Sequence, residues 1–200
     1  MLYASVHTNK RRSDAMQGFK PNDGVFILPQ YAHLYPANCG VICSVSADRF
    51  RSIFNEYTVQ FPDGSKASVR EFQLIEALPD YQTLIAEVTF DSRSQLVETN
   101  VRGKTSSIQI VFQAYGFDVD LKIRKDQPSR ASILGQVLER NSVTRLGGLE
   151  IRLMREGTAI AITVSDGNGL FEFSSVPAGS LNLVVLIPQH HLRILGTFSI

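Results

Sequence analysis

Thr163-Val164-Ser165-Asp166-Gly167-Asn168-Gly169-Leu170-Phe171-Glu172-Phe173 is the stretch that decides the fold class of this chain. A β-branched strand end runs into a turn holding two glycines, and an alternating aromatic strand leaves it. Glycine takes the positive φ of a tight turn without steric penalty, and Phe171 and Phe173, two residues apart, share one face of a strand. The stretch reads as a β-hairpin.

Period-two alternation continues outward from it. Leu84, Ala86, Val88 and Phe90 alternate with Thr83, Ile85, Glu87 and Thr89, as in one half-buried strand. Ile108, Ile110 and Phe112 alternate again. So do Phe117, Val119, Leu121 and Ile123, with Asp118, Asp120 and Lys122 facing outward. Further strands are expected over residues 133–138, 149–154, 159–165, 170–174, 181–187 and 192–200. Turn chemistry separates them, at Gln127-Pro128-Ser129, Gly147-Gly148, Glu156-Gly157, Pro177-Ala178-Gly179 and Ile187-Pro188. Short strands closely punctuated by turns, with no helical period between them, are the signature of an antiparallel β-sandwich over residues 83–200.

The first 82 residues read differently. Residues 1–24 are polar and unpatterned, carry Lys10-Arg11-Arg12, and are expected to form a flexible tail. Residues 25–82 read as an α+β or irregular N-terminal region. Ser46-Ala47-Asp48 looks like a helix start, followed by Phe50, Ile53, Phe54 and Tyr57 at helical spacing. Ser68-Val69-Arg70-Glu71 matches a capping box, with Val69, Phe72, Ile75 and Leu78 continuing the period until Pro79. Between the two expected helices, Pro62-Asp63-Gly64-Ser65 is a turn, and a hairpin across Asp63-Gly64 is the competing reading.

At 200 residues, 44% hydrophobic and 20% charged, the chain can bury a substantial core. Twenty basic residues against nineteen acidic leave a net charge of +1, which argues against nucleic-acid and membrane partners. No apolar run approaches the ~20 residues that span a bilayer. The start, Met1 to His7, has no apolar signal core, so a cytoplasmic location is expected. Cys39 and Cys43 fit a strand, where they would share a face about 13 Å apart, beyond disulfide reach. They are expected to be buried free thiols.

The candidate chemistry is thin. Gly103-Lys104-Thr105 lacks the earlier glycine of a phosphate-binding loop, since Glu98 stands there, and strand rather than helix is expected after it. Asp166-Gly167-Asn168-Gly169 lacks the further carboxylates of a calcium loop. His190 and His191 are adjacent, so on a strand they point apart, while His7 and His33 lie in unpatterned sequence. Asp118 and Asp120 share a face, but Lys122 and Arg124 beside them make a solvated mixed-charge surface. No catalytic residue, cofactor or metal site is expected from these patterns.

Gly135-Gln136-Val137, then Gly147-Gly148-Leu149-Glu150-Ile151-Arg152-Leu153, then Thr163 through Phe173, then Val176-Pro177-Ala178-Gly179-Ser180-Leu181 resemble the carboxypeptidase regulatory-like domain. The resemblance covers about residues 130–200. The segment before it, with Ala114-Tyr115-Gly116-Phe117, looks like the one preceding this domain in small bacterial proteins. It implies a transthyretin-like (prealbumin-like) β-sandwich and a non-catalytic module for packing, stability or partner contact. Leu181 departs from the tyrosine many members carry after the turn. The expected function is therefore a structural or protein-interaction module whose partner is another protein. A carbohydrate- or small-ligand-binding sandwich is the alternative; the chain has no tryptophan, leaving Tyr31, Tyr35, Tyr57, Tyr81 and Tyr115 for stacking. A transthyretin-related hydrolase is disfavoured, because the chain ends Gly196-Thr197-Phe198-Ser199-Ile200, without that group's tyrosine-rich signature.

Overall fold

The computed structural model describes residues 18–48, 50–95, 107–142 and 146–200. Among the described residues, fifteen strands fall into three five-stranded sheets. The N-terminal sheet is built from β1 (Gly24–Ile27), β2 (Cys39–Ser46), β3 (Glu56–Gln60), β4 (Lys66–Arg70) and β5 (Leu74–Glu76). It is antiparallel throughout, in the order β4-β3-β2-β1-β5. β6 (Gln82–Ile85) and β7 (Glu87–Asp91) follow, then the single turn α1 (Ser92–Gln95), β8 (Ser107–Ala114), β9 (Phe117–Gln127) and β10 (Arg130–Glu139). The chain ends with β11 (Glu150–Arg155), β12 (Thr158–Val164), β13 (Leu170–Pro177), β14 (Ser180–Ile187) and β15 (Leu192–Ser199). They form two sheets, β13-β10-β9-β8-β7 and β12-β11-β14-β15-β6.

These two sheets share one core. Phe112, Phe117, Val119, Leu121, Ile123 and Phe171 from the first meet Ile151, Leu153, Leu183, Val185, Ile194 and Phe198 from the second. The alternation that predicts the strands is the alternation that fills this core: Phe117, Val119, Leu121 and Ile123 are all buried along β9. Close packing also fixes glycine. A Cβ on Gly135 would lie 2.1 Å from the Phe171 ring.

Several expectations are corrected. Thr163 to Phe173 is not a hairpin. β12 pairs with β11 and β13 with β10, so the tight Asp166–Gly169 turn carries the chain from one sheet to the other. The turn itself is as read: Gly169 has φ of +77°, and its N–H donates to the Asp166 carbonyl at 3.1 Å. Its own carbonyl accepts from Val137 N–H at 3.0 Å, which pulls the outgoing strand towards β10. Residues 83–90 likewise split into two strands in different sheets, with the small Ala86 as the corner. β6 runs parallel to β15, the one departure from antiparallel pairing among the described strands.

Among the described residues of 46–57 and 68–78 the two expected helices are absent. β3 and β4 form the hairpin across Asp63-Gly64, with Gly64 at φ +85° and flanking single turns of 3-10 helix at Ser52–Phe54 and Glu71–Gln73. The helical spacing was coincidental. Phe50 is 92% exposed, whereas Tyr57, Val59, Phe61 and Val69 are buried with strand periodicity. The expected tail is corrected for its last residues: Phe19 stands edge-on to Tyr57, and its N–H donates to the Tyr57 hydroxyl at 3.3 Å. Residues 1–17, including Lys10-Arg11-Arg12 and His7, lie outside the described residues.

The N-terminal sheet has its own core of Val25, Ile27, Ile42, Tyr57, Val59, Phe61, Val69 and Leu74. It also covers the outer face of the second sandwich sheet, where Phe26, Leu28 and Ile75 pack on Met154, Val184, Leu186 and Leu195. β14 is consequently buried on both sides from Leu181 to Ile187. Among the described residues no helix is long and apolar enough to cross a membrane.

Candidate functional site

Two polar anchors lock the N-terminal sheet onto the sandwich. The amides of Gln30 and Asn182 pair reciprocally: Gln30 Nε2 donates to Asn182 Oδ1 at 3.2 Å, and Asn182 Nδ2 donates to Gln30 Oε1 at 3.1 Å. Asn182 Nδ2 also reaches Thr197 Oγ1 at 2.7 Å. Arg193 is the second anchor, and only 1% of it is exposed. Its Nη1 donates to the Glu76 carbonyl at 2.6 Å, its Nε to Thr83 Oγ1 at 3.0 Å, and the guanidinium lies 5.6 Å from the Phe26 ring centroid. Burial, then repulsion from Arg152, lowers its pKa to about 10, so it stays protonated at neutral pH.

A cleft of about 500 Å³ opens between residues 18–24, β5 and β11, with Lys20, Asp23, Glu76 and Arg152 on its walls. Two cations face two carboxylates, and Arg152 is already held by Glu150 at 2.5 Å. The described lining contains no serine, threonine, cysteine or histidine.

At the end of the N-terminal core, Glu71 Oε2 accepts hydrogen bonds from the Tyr57 hydroxyl at 3.0 Å and from Asn55 Nδ2 at 2.7 Å. Burial pushes the Glu71 carboxyl above its usual range and raises Tyr57 as well. Sequence reading missed this cluster because Glu71 is 14 and 16 residues from Tyr57 and Asn55, on segments read as separate helices. Its donors and acceptors satisfy one another, which is what a structural network requires.

The residues weighed from sequence are spread over the molecule. Asp118 pairs with Arg140 at 3.3 Å, and Asp120 accepts from Gln109 Nε2 at 2.9 Å. Asp166 Oδ1 accepts from the N–H groups of Asn168 and Leu170, at 2.8 and 2.9 Å, and so shapes its own turn. His190 faces Glu139 at 3.4 Å and Phe117, whereas His191 turns to the Tyr81 ring. His33 lies on the 3-10 turn Pro29–Leu34. Among the described residues no group of three or more His, Cys, Asp or Glu side chains is placed to hold a metal ion. Gly103-Lys104-Thr105 lies outside the described residues.

Cys39 and Cys43 lie on β2, but a bulge between Ile42 and Ser44 breaks the face they were expected to share. Cys39 is half-buried against the interface with the sandwich. Cys43 is exposed, which corrects the expectation that both are buried. The five tyrosines are dispersed: Tyr31, Tyr35 and Tyr57 against the N-terminal core, Tyr81 beside His191, and Tyr115 at the exposed tip of the β8–β9 hairpin.

What remains is the sheet margins. Unpaired backbone at an edge invites another strand, and proteins blunt it with charge, proline, bulges or shortness. β5 and β6 are three and four residues long. β4 carries Lys66 and Arg70; β7 carries Glu87 and Asp91 and a register shift; β13 carries Glu172, Pro177 and a register shift. β12, Thr158-Ala159-Ile160-Ala161-Ile162-Thr163-Val164, has no charge and no proline, and its one bulge sits at Ile160 near its start. Ile160, Ile162 and Val164 are 40%, 60% and 61% exposed.

Comparison with known protein families, with curated proteins and with solved structures finds no match for this chain.

Proposed function

We propose that the protein is a non-catalytic structural or protein-interaction module, that its partner is another protein, and that β12 is the strand it offers. The observation that carries this reading is the uncharged β12 edge, whose isoleucines and valine are exposed while the other five margins are short or charged. Strand addition at such an edge gains main-chain hydrogen bonds for affinity and side-chain pairs for specificity.

We read residues 130–200 as a carboxypeptidase regulatory-like sandwich of the prealbumin type. In support, Gly135 packs against Phe171, Gly169 and Gly179 have φ of +77° and +131°, and Leu181 fills the core with no exposure. The same reading places the protein in the cytoplasm, without nucleic-acid or membrane partners. It is tested by affinity capture of the tagged full-length chain from its own host, followed by mass spectrometry. A stoichiometric protein partner is expected. An empty capture from folded protein, or turnover of a small-molecule substrate, would overturn it.

A further inference from the structure

We propose that the N-terminal sheet is a hinged cover, which swings off the sandwich as a folded unit about residues 78–81 and bares the outer face of β14 and β15. The proposal is independent of what β12 meets. Alternation along β1 shows how the unit is built. Val25 and Ile27 point into the N-terminal core, while Phe26 and Leu28 point at the sandwich. The buried members of the core that Val25 and Ile27 join all come from residues 25–74, so separation leaves it intact. Five strands with an apolar face of their own are enough to hold together.

The two faces of β14 and β15 differ in kind. Inward, Leu183, Val185, Ile194 and Phe198 join a core whose buried members are all apolar. Outward, Val184, Leu186 and Leu195 share the covered face with Asn182, Arg193 and Thr197. A contact within one chain that mixes polar with apolar groups permits relative motion, whereas a large hydrophobic one opposes it. Arg193 marks the docked state most plainly. It is buried, it belongs to no ion pair among the described residues, and its Nη2 has no hydrogen-bond partner there. Docking therefore takes a cation out of water with partners for Nε and Nη1 only, and release returns it to solvent.

The covalent link is short. Ala77 N–H donates to the Gly24 carbonyl at 3.0 Å and so belongs to the N-terminal sheet. Gln82 N–H donates to the His191 carbonyl at 2.8 Å and belongs to the sandwich. Between them Pro79 and Asp80 are exposed, and Leu78 and Tyr81 pack on the contact itself. Among the described residues the chain passes between the two parts only here. Rotation at a few backbone angles in this linker carries the sheet away without disturbing a strand of either part.

Thiol labelling of the full chain in native buffer tests this, with Cys39→Ser and Cys43→Ser removing the native thiols and one cysteine introduced at a time. Val184→Cys reports the covered face, the adjacent Val185→Cys the sandwich core, and Val59→Cys the N-terminal core; all three positions are buried. Val184→Cys should react roughly tenfold or more faster than either of the others. Gln30→Ala removes the amide pair with Asn182, and should speed Val184→Cys by about a further tenfold while leaving the other two rates unchanged. Leu195→Cys reads the same covered face should Val184→Cys fail to fold. A covered-face cysteine no faster than Val185→Cys means that the contact opens only with the sandwich, which overturns the proposal. Val59→Cys as fast as the covered-face cysteine means that the sheet melts rather than swings, which overturns it as well.

Discussion

Glu71 is where burial and ionisation oppose each other most directly. Desolvation raises its carboxyl above the ordinary 4.5, and the bonds from Tyr57 and Asn55 only partly offset this. The folded chain therefore holds a proton at a pH where the unfolded chain has released it. Stability from this group is full below 4.5, declines as pH rises through the window up to the raised folded value, and stays lower above it. Glu71→Gln keeps an oxygen for both donors and removes the ionisation. Thermal melts should show the variant close to wild type at the acid end and gaining on it as pH rises. A difference constant across pH would contradict this account of the cluster.

The contact of the N-terminal sheet with the sandwich turns on few polar atoms at the scale of elements. Arg193→Ala removes two hydrogen bonds from a charged donor and leaves the Glu76 carbonyl and the Thr83 hydroxyl without it, a loss of about 2–3 kcal/mol. Thiol labelling of the native protein reads the effect on docking. Cys43 should react fast in both proteins. Cys39, packed at the interface, should react slowly in wild type and faster in the variant, about tenfold for each 1.4 kcal/mol of docking lost. An unchanged Cys39 rate would mean that Arg193 does not hold the two parts together.

The sandwich strands were legible because period two has one cause there: each strand buries alternate residues in a shared core, as β9 and β13 do. Partner choice was not legible. The Asp166–Gly169 turn looks the same whether its strands pair or diverge, and divergence is set by β10 and β11, distant in sequence. The N-terminal helices failed because Phe50, Ile53, Phe54 and Tyr57 satisfy a helical period, while the structure uses Tyr57, Val59 and Phe61 and leaves Phe50 in solvent. One missed signal was available. Leu181 to Ile187 has Asn182 as its single polar residue, and a strand without alternation is one covered on both faces. The cover proved to be the N-terminal sheet. Of the site, β12's lack of charge could be read directly, but its position at a margin could not.

Taken whole, the molecule is three stacked sheets in which the middle one, β12-β11-β14-β15-β6, contributes to the core on one side and to the N-terminal contact on the other. Its β6 margin is short, so β12 is the side on which that middle layer can grow. Amide hydrogen exchange of the full chain tests this most directly. The account predicts slow exchange in β11 and β14, which have strands on both sides, and faster exchange in the marginal strand β12. Exchange in β12 as slow as in β14 would contradict it.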